Sequence, residues 1–299
     1  MVSDYRIVED AAGFRRLDPI PQEVELTEFY ESRYYHLLRA GSRAPDLARL
    51  QAGGPDAARE REWLGGAHYA DIMAVIRPHL AGSRMLDIGC GTGDFVGYCL
   101  SQGLEAHGIE PSVDAVDAAC AMGLSVAAET AEVRAAAVKS GSVRPYDLIT
   151  MLCVLEHIPD PGAMLSSVRD MLTSGGVLCV KVPNDFSVLQ QAARALNHAD
   201  EWWVAVPDHV NYFSAESVAH LLEDHGFEVC DRLADFPMEM FILTGQDYVS
   251  DPALGPLCHE RRRHIDLSLD SGKRLAMYRQ MAEAGIGRNI IIVARLSQT

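Results

Sequence analysis

No apolar run in this 299-residue chain is long enough to cross a bilayer; the longest candidates, such as Ile290 to Ala294, are strand-sized. The opening Met1-Val2-Ser3-Asp4 lacks the basic region and apolar stretch of a secretory leader, so a cytoplasmic chain is expected. Cysteines number seven, an odd count, and no two have CxxC spacing. Cys90, Cys99, Cys120, Cys153, Cys179 and Cys230 sit in apolar or glycine-rich segments, and Cys258 lies alone in a more polar stretch. Buried thiols are expected, and neither a disulfide framework nor a zinc site. Positive charge is scarce: 26 Lys and Arg stand against 42 Asp and Glu, for a formal net charge of -16. A field of that sign repels phosphate backbones and anionic lipid, which argues against nucleic acid and membrane as partners. Arg261-Arg262-Arg263 runs against this trend. A solvated helix face is the expectation for it, with a clamp for an anionic substrate as the alternative. Internal repeats and long low-complexity segments are also missing.

What is present is a regular alternation. Strands are predicted at Arg84 to Ile88, Glu105 to Ile109, Ser125 to Ala127, Tyr146 to Met151, Gly176 to Lys181, Phe227 to Asp231 and Asn289 to Ala294. Helices are predicted at Asp94 to Ser101 and Ser112 to Met122. A third starts at Asp160-Pro161, carries Met164, Leu165, Val168, Met171 and Leu172, and stops at Gly175-Gly176. A fourth is capped by Ser214, carries Val218, Leu221 and Leu222, and ends at Gly226. Strand-helix alternation implies an α/β fold with parallel strands and right-handed crossovers. With 48% hydrophobic residues the chain can fill one large core, or one core domain plus an appendage. Four segments are expected: an N-terminal cap over 1–67, a cofactor-binding core over 68–236, a helical insertion or lid over 237–286, and a last core strand over 287–299. The first contains an aromatic stretch with Tyr30, Tyr34 and Tyr35, then a linker around Gly53 to Ala58. Both outer segments are expected near the carboxyl ends of the strands, where open α/β sheets bind ligands.

Residues 85 to 94, Met-Leu-Asp-Ile-Gly-Cys-Gly-Thr-Gly-Asp, run a strand through a glycine-rich turn into a helix. Gly89, Gly91 and Gly93 allow a tight turn and a close approach of backbone to ligand. The helix N-terminus supplies free N–H groups to an anionic group. Glu110 ends the next strand, at the distance expected of a carboxylate that accepts both ribose hydroxyls of a nucleoside. Two details favour a sulfonium amino acid over a pyrophosphate. The third glycine arrives one residue early for the dinucleotide pattern, giving GxGxG, and Asp87 precedes the first glycine by two residues. A carboxylate there repels a pyrophosphate and attracts an ammonium group.

Met85 to Asp94, together with His107 to Ser112, resembles the class I S-adenosylmethionine-dependent methyltransferases. The resemblance extends through Tyr146 to Ile158, Gly175 to Asn184, and Asn211-Tyr212-Phe213-Ser214 to Val229. It covers about His68 to Val229 plus the last strand, and is nearest to the branch of ubiquinone-pathway O-methyltransferases and natural-product and sugar methyltransferases. It implies a Rossmann-like, seven-stranded, mostly parallel sheet with helices on both faces, the seventh strand antiparallel between the fifth and sixth. It also implies S-adenosyl-L-methionine as cofactor. Asp87, Gly89, Cys90, Gly91 and Gly93 would surround its methionine part, Glu110 with Pro111 and Ser112 its ribose, Glu129 or Thr130 its adenine, and Cys153 and Val154 its sulfonium end. Some relatives in the ubiquinone branch hold a metal with a Glu followed three and four residues on by Glu-His. Here Glu156-His157 are preceded by Cys153 where that Glu would stand. Hard divalent ions want oxygen ligands, so no required metal is expected.

Methyl transfer from a sulfonium needs in-line alignment, exclusion of water and, for a hydroxyl nucleophile, a base. His209, in Pro207-Asp208-His209-Val210-Asn211, and His157 are the candidate catalytic residues, since an imidazole titrates near neutrality. Loop capping by His209, and an orienting hydrogen bond from His157, are the structural alternatives. Tyr30, Tyr34, Tyr35, Trp202 and Trp203 are pocket-wall or packing candidates. The leading expectation is transfer to a hydroxyl of a small polar metabolite, a sugar derivative or natural-product intermediate. N- or C-methylation, an NAD-dependent oxidoreductase and a non-catalytic binding module are the competitors. The assembly is left open, with a homodimer as one option.

Overall fold

The computed structural model describes residues 5–29, 49–50, 53–197 and 200–297. The aromatic candidates Tyr30, Tyr34 and Tyr35 lie outside them. In chain order the elements are β1 (Arg6–Glu9), β2 (Arg15–Asp18), α1 (Glu23–Phe29), α2 (Gly54–Trp63), a π turn (Leu64–His68), α3 (Tyr69–Ile76), β3 (Arg84–Ile88), α4 (Asp94–Ser101), β4 (Glu105–Ile109) and α5 (Val113–Ala121). Then follow β5 (Val126–Ala127), α6 (Ala131–Lys139), β6 (Tyr146–Leu152), α7 (Pro161–Met171), β7 (Leu172–Pro183), α8 (Val188–Asn197), β8 (Asn211–Tyr212), α9 (Ala215–Asp224) and β9 (Phe227–Ala234). The chain closes with α10 (Glu239–Leu243), α11 (Gly255–Ser268), α12 (Ser271–Glu283) and β10 (Asn289–Leu296).

Seven strands form the main sheet in the order β5-β4-β3-β6-β7-β10-β9. β3 pairs in parallel with β4 and β6, whereas β10 runs antiparallel to both β7 and β9. This is the expected topology. Alternation along β7 shows why the sheet is buried on both faces. Leu178, Val180 and Val182 join a core with α6, α7 and α9; Val177 and Cys179 join the opposite core with α3 and α4. Local signals set the helix starts. Asp160 accepts the Ala163 N–H at 2.9 Å with Pro161 in the first turn, and Ser214 and Ser217 close a reciprocal capping box.

Two expectations are corrected, and one sheet is additional to those expected. The segment around Gly53 to Ala58 is not a linker: α2 begins there, with Pro55 and Asp56 in its first turn, and the helical path continues through the π turn to Ile76. The 67/68 boundary thus falls inside a helical run. A second sheet, β1-β2-β8, was not foreseen; it is a hairpin whose β2 pairs Arg15 and Arg16 with Tyr212 and Asn211. Finally, Arg262 and Arg263 are buried, not solvated. Arg262 donates to Asp235 at 2.9 Å and lies over the Trp63 ring; Arg263 donates to Glu60 at 2.8 Å and Asp56 at 3.1 Å. Burial of such charges requires partners, and α2 and the end of β9 supply them. These pairs tie α11 to α2 and to the carboxyl end of β9. Arg274 on α12 adds a buried two-pronged bond to Asp71 on α3, at 2.7 and 2.8 Å.

Candidate active site

The strand order reverses between β3 and β6, which opens a crevice at their carboxyl ends. The glycine-rich turn occupies it. Gly89 and Cys90 N–H groups both donate to the Ile109 carbonyl, at 2.9 and 3.2 Å, so the turn rests on the end of β4. Gly89, Gly91 and Gly93 all have positive φ. Their surroundings differ. A Cβ on Gly89 would meet Val154 at 2.8 Å, and one on Gly93 would meet Leu124 at 2.7 Å, so both are also needed for packing. A Cβ on Gly91 would meet nothing within 4 Å, which leaves open space at the middle of the turn.

Two carboxylates stand near the turn, Glu110 bonded to it and Asp87 buried two residues before Gly89. Glu110 accepts the Gly91 N–H at 3.1 Å through one oxygen and the Ser112 N–H at 3.0 Å through the other. Ser112 caps α5, and Pro111 beside it is exposed. Asp87 is buried at the end of β3 and accepts the Thr150 hydroxyl at 2.5 Å. Burial, with the charge of Glu110 adding to it, pushes the Asp87 pKa up to about 7, while the Thr150 bond opposes the rise. A cation arriving beside Asp87 supplies the compensation it lacks. The residues therefore fit a ligand with an ammonium end and a nucleoside hydroxyl end.

Other members of the expected set have separate partners. The Cys90 thiol faces Gly108, where a Cβ would come within 2.4 Å of it, and burial raises its pKa. Glu129 is ion-paired with Arg134, which also donates to the Tyr146 hydroxyl at 2.8 Å. Thr130 is exposed at the start of α6. Cys153, just past β6, takes a φ of 60°, a conformation that costs a non-glycine residue about 1–2 kcal/mol. Its N–H donates to the Lys181 carbonyl at 2.8 Å, which fixes the bend against β7. Val154 follows it and touches the Gly89 turn.

On the far side of Cys153 the structure brings His157 and His209 together. Val210 N–H donates to the Glu156 carbonyl at 2.7 Å, and the Asn211 side chain donates to the carbonyls of Leu155 and Ile158 at 3.0 and 2.7 Å. This lacing puts the two rings edge to face with centroids 4.9 Å apart. His157 Nδ1 lies 2.8 Å from the Asp208 carbonyl, which can only accept, so the proton sits on Nδ1 and Nε2 carries the lone pair in the neutral ring. Glu156 is buried beside them, its pKa pushed up to about 8 by burial. Trp203 is a core residue packed edge-on against Phe186 and Trp202.

Sequence reasoning missed two residues at this edge. Lys181, near the end of β7, donates to His68 Nε2 at 2.9 Å. Burial and that ammonium hold the His68 pKa well below its usual value. An isolated Lys in an apolar strand was the available signal for the first; His68 had none.

The oxygen-rich metal site of the ubiquinone branch does not fit here. Cys153 occupies the position of the first carboxylate, and its thiol is a hydrogen-bond partner of Glu156.

A methyltransferase-domain family model matches residues 58–231, more than half of the chain. Ubiquinone biosynthesis O-methyltransferases of Burkholderia orbicola (strain MC0-3) and Paraburkholderia xenovorans (strain LB400) are 33% and 34% identical over 100 residues. That is 33% of this chain and 43% of theirs, so the chain matches less than half the length of these curated relatives. An S-adenosylmethionine-dependent methyltransferase structure from Archaeoglobus fulgidus superposes with a TM-score of 0.52 at 19% identity, over 88% of this chain and 99% of that one. With the glycine turn, Asp87 and Glu110 arranged as described, the chain belongs to the methyltransferase-domain family, with the fold of the class I, S-adenosylmethionine-dependent enzymes.

Proposed function

We propose that this protein transfers a methyl group from S-adenosylmethionine to a hydroxyl of a small polar metabolite. The carrying observation is the open middle of the glycine turn, with Glu110 bonded to it and Asp87 buried two residues before Gly89. Bound there, the sulfonium supplies an activated methyl and a neutral leaving thioether. Asp87 receives the ammonium end and Glu110 the ribose hydroxyls. The bent backbone at Cys153 and Val154 borders the reacting end, and the acceptor approaches from the side of β7. Next to that border, His157 and His209 form an imidazole pair that takes the acceptor's proton; the Asp208 carbonyl holds His157 in the tautomer able to do so. A hydroxyl acceptor is supported by this pair, since an amine in its neutral form needs no base. The similarity to O-methyltransferases of ubiquinone biosynthesis supports the same choice.

A soluble acceptor in the cytoplasm, with neither nucleic acid nor membrane as partner, completes the reading. The net charge of -16 and the free thiols of the described cysteines support it, and no described helix is long and apolar enough to cross a membrane. Calorimetric titration with S-adenosylmethionine, its demethylated product and NAD tests the donor. Near-stoichiometric binding of the first two, followed by turnover on a panel of hydroxylated sugars and phenols, is expected. Preference for NAD would overturn the reading.

A further inference from the structure

Glu156, His157 and His209 each offer a ligand atom, and the three atoms lie within 4.8 Å of one another. The Nδ1–H of His157 is held by a backbone carbonyl, the usual outer partner of a metal-bound imidazole, and its Nε2 faces Glu156 Oε1 at 4.0 Å. Glu156 is 1% exposed; its carboxylate has the Cys153 thiol as a weak hydrogen-bond partner, and no partner is found for its Oε2 among the described residues. A buried carboxylate oxygen without a donor is costly unless a cation or proton attends it. His209 comes from a different segment, which the Val210 and Asn211 hydrogen bonds fasten to residues 155–158. Its backbone N–H is itself fixed on the Ala205 carbonyl at 2.8 Å.

We propose that Glu156, His157 and His209 bind a borderline divalent transition ion, of which zinc is the test probe, and not magnesium. Two imidazoles and one carboxylate form a nitrogen-rich donor set that suits zinc, whereas magnesium demands oxygen. The site thus differs from an oxygen site in both membership and selectivity: His209 enters from outside the local motif, and Cys153 stays out. Three protein ligands leave at least one position for an exogenous group. Ion and proton compete for this cluster, so a bound ion withdraws it from proton transfer.

The full-length protein, stripped with a chelator, is titrated with zinc alone by calorimetry. One zinc per chain is expected, undisplaced by excess magnesium. Glu156→Gln and His209→Asn should each weaken zinc by about tenfold or more, while Cys153→Ser should not. Circular dichroism checks that each variant is folded. No binding, undiminished binding in both folded variants, or loss confined to Cys153→Ser would overturn the proposal. Since zinc is added without methyl donor, this result is separate from the donor titration on the same sample.

Discussion

Glu110 and Gly91 are joined by a 3.1 Å hydrogen bond, carboxylate to backbone N–H, across the crevice between β4 and the glycine turn. The bond orients one face of the carboxylate proposed to bind the ribose and pins the middle of the turn at once. Replacing Glu110 with Gln keeps the shape and removes the charge. Loss of a charge-assisted bond should weaken donor binding by about 10- to 100-fold. Calorimetry reads this directly, and unaltered affinity would show that the ribose lies elsewhere.

Gly91 and Gly89 should respond differently to alanine. At Gly89, φ is 68° and the new methyl meets Val154 at 2.8 Å. At Gly91, φ is 53° but the methyl enters open space. Both variants should lose about 1–2 kcal/mol from the left-handed backbone, and Gly89→Ala more through the overlap. Gly91→Ala should stay folded yet lose donor binding, because its methyl fills the space intended for ligand. Thermal melting and donor titration together separate the two effects.

If Asp87 receives the ammonium as proposed, donor binding should depend on pH. Burial raises its pKa to about 7 in the donor-free protein, so below that pH it holds a proton that an incoming ammonium must displace. Affinity should therefore rise by up to about tenfold per pH unit between about pH 5 and pH 7, then level off. Titrations in buffers of different ionisation heat should show about one proton released per donor on the acid side. Asp87→Asn should abolish the slope and weaken binding at neutral pH.

Arg274 and Asp71 test the outer helices. Removing either partner leaves a buried, unpaired charge, at a cost of about 3–5 kcal/mol. Asp71→Ala should lower the urea midpoint accordingly. A small effect would mean that water reaches this contact.

The stretch from β3 to β4 was legible in the sequence because its signals are local. Apolar strands, positive-φ glycines and helix caps all lie within a few residues of what they control, and the residue ranges of β3, α4 and β4 came out as expected. Features that depend on distant partners were not legible. Arg262 and Arg263 read as a solvated run because Asp235, Glu60 and Asp56 reach them only through tertiary packing. The β1-β2 hairpin has short strands with little alternation and completes its sheet with β8. α2 was misread because Gly53-Gly54-Pro55 resembles a linker, although Pro55 serves as a helix start. His157 and His209 were each recognised by chemistry, but their contact rests on Asn211 gripping the Leu155 and Ile158 carbonyls.

β10 lies between β7 and β9 and satisfies the backbone of both. During synthesis, β7 and β9 leave the ribosome well before the strand that joins them. Until Leu296 has emerged, each presents an unpaired edge to the cell, and β9 has no place in the sheet. The crevice at the glycine turn, by contrast, lies among β3, β4 and β6 and can assemble early. A nascent chain stalled after β9 should engage chaperones more than one in which β10 has emerged, even though β3, β4 and β6 are already in place.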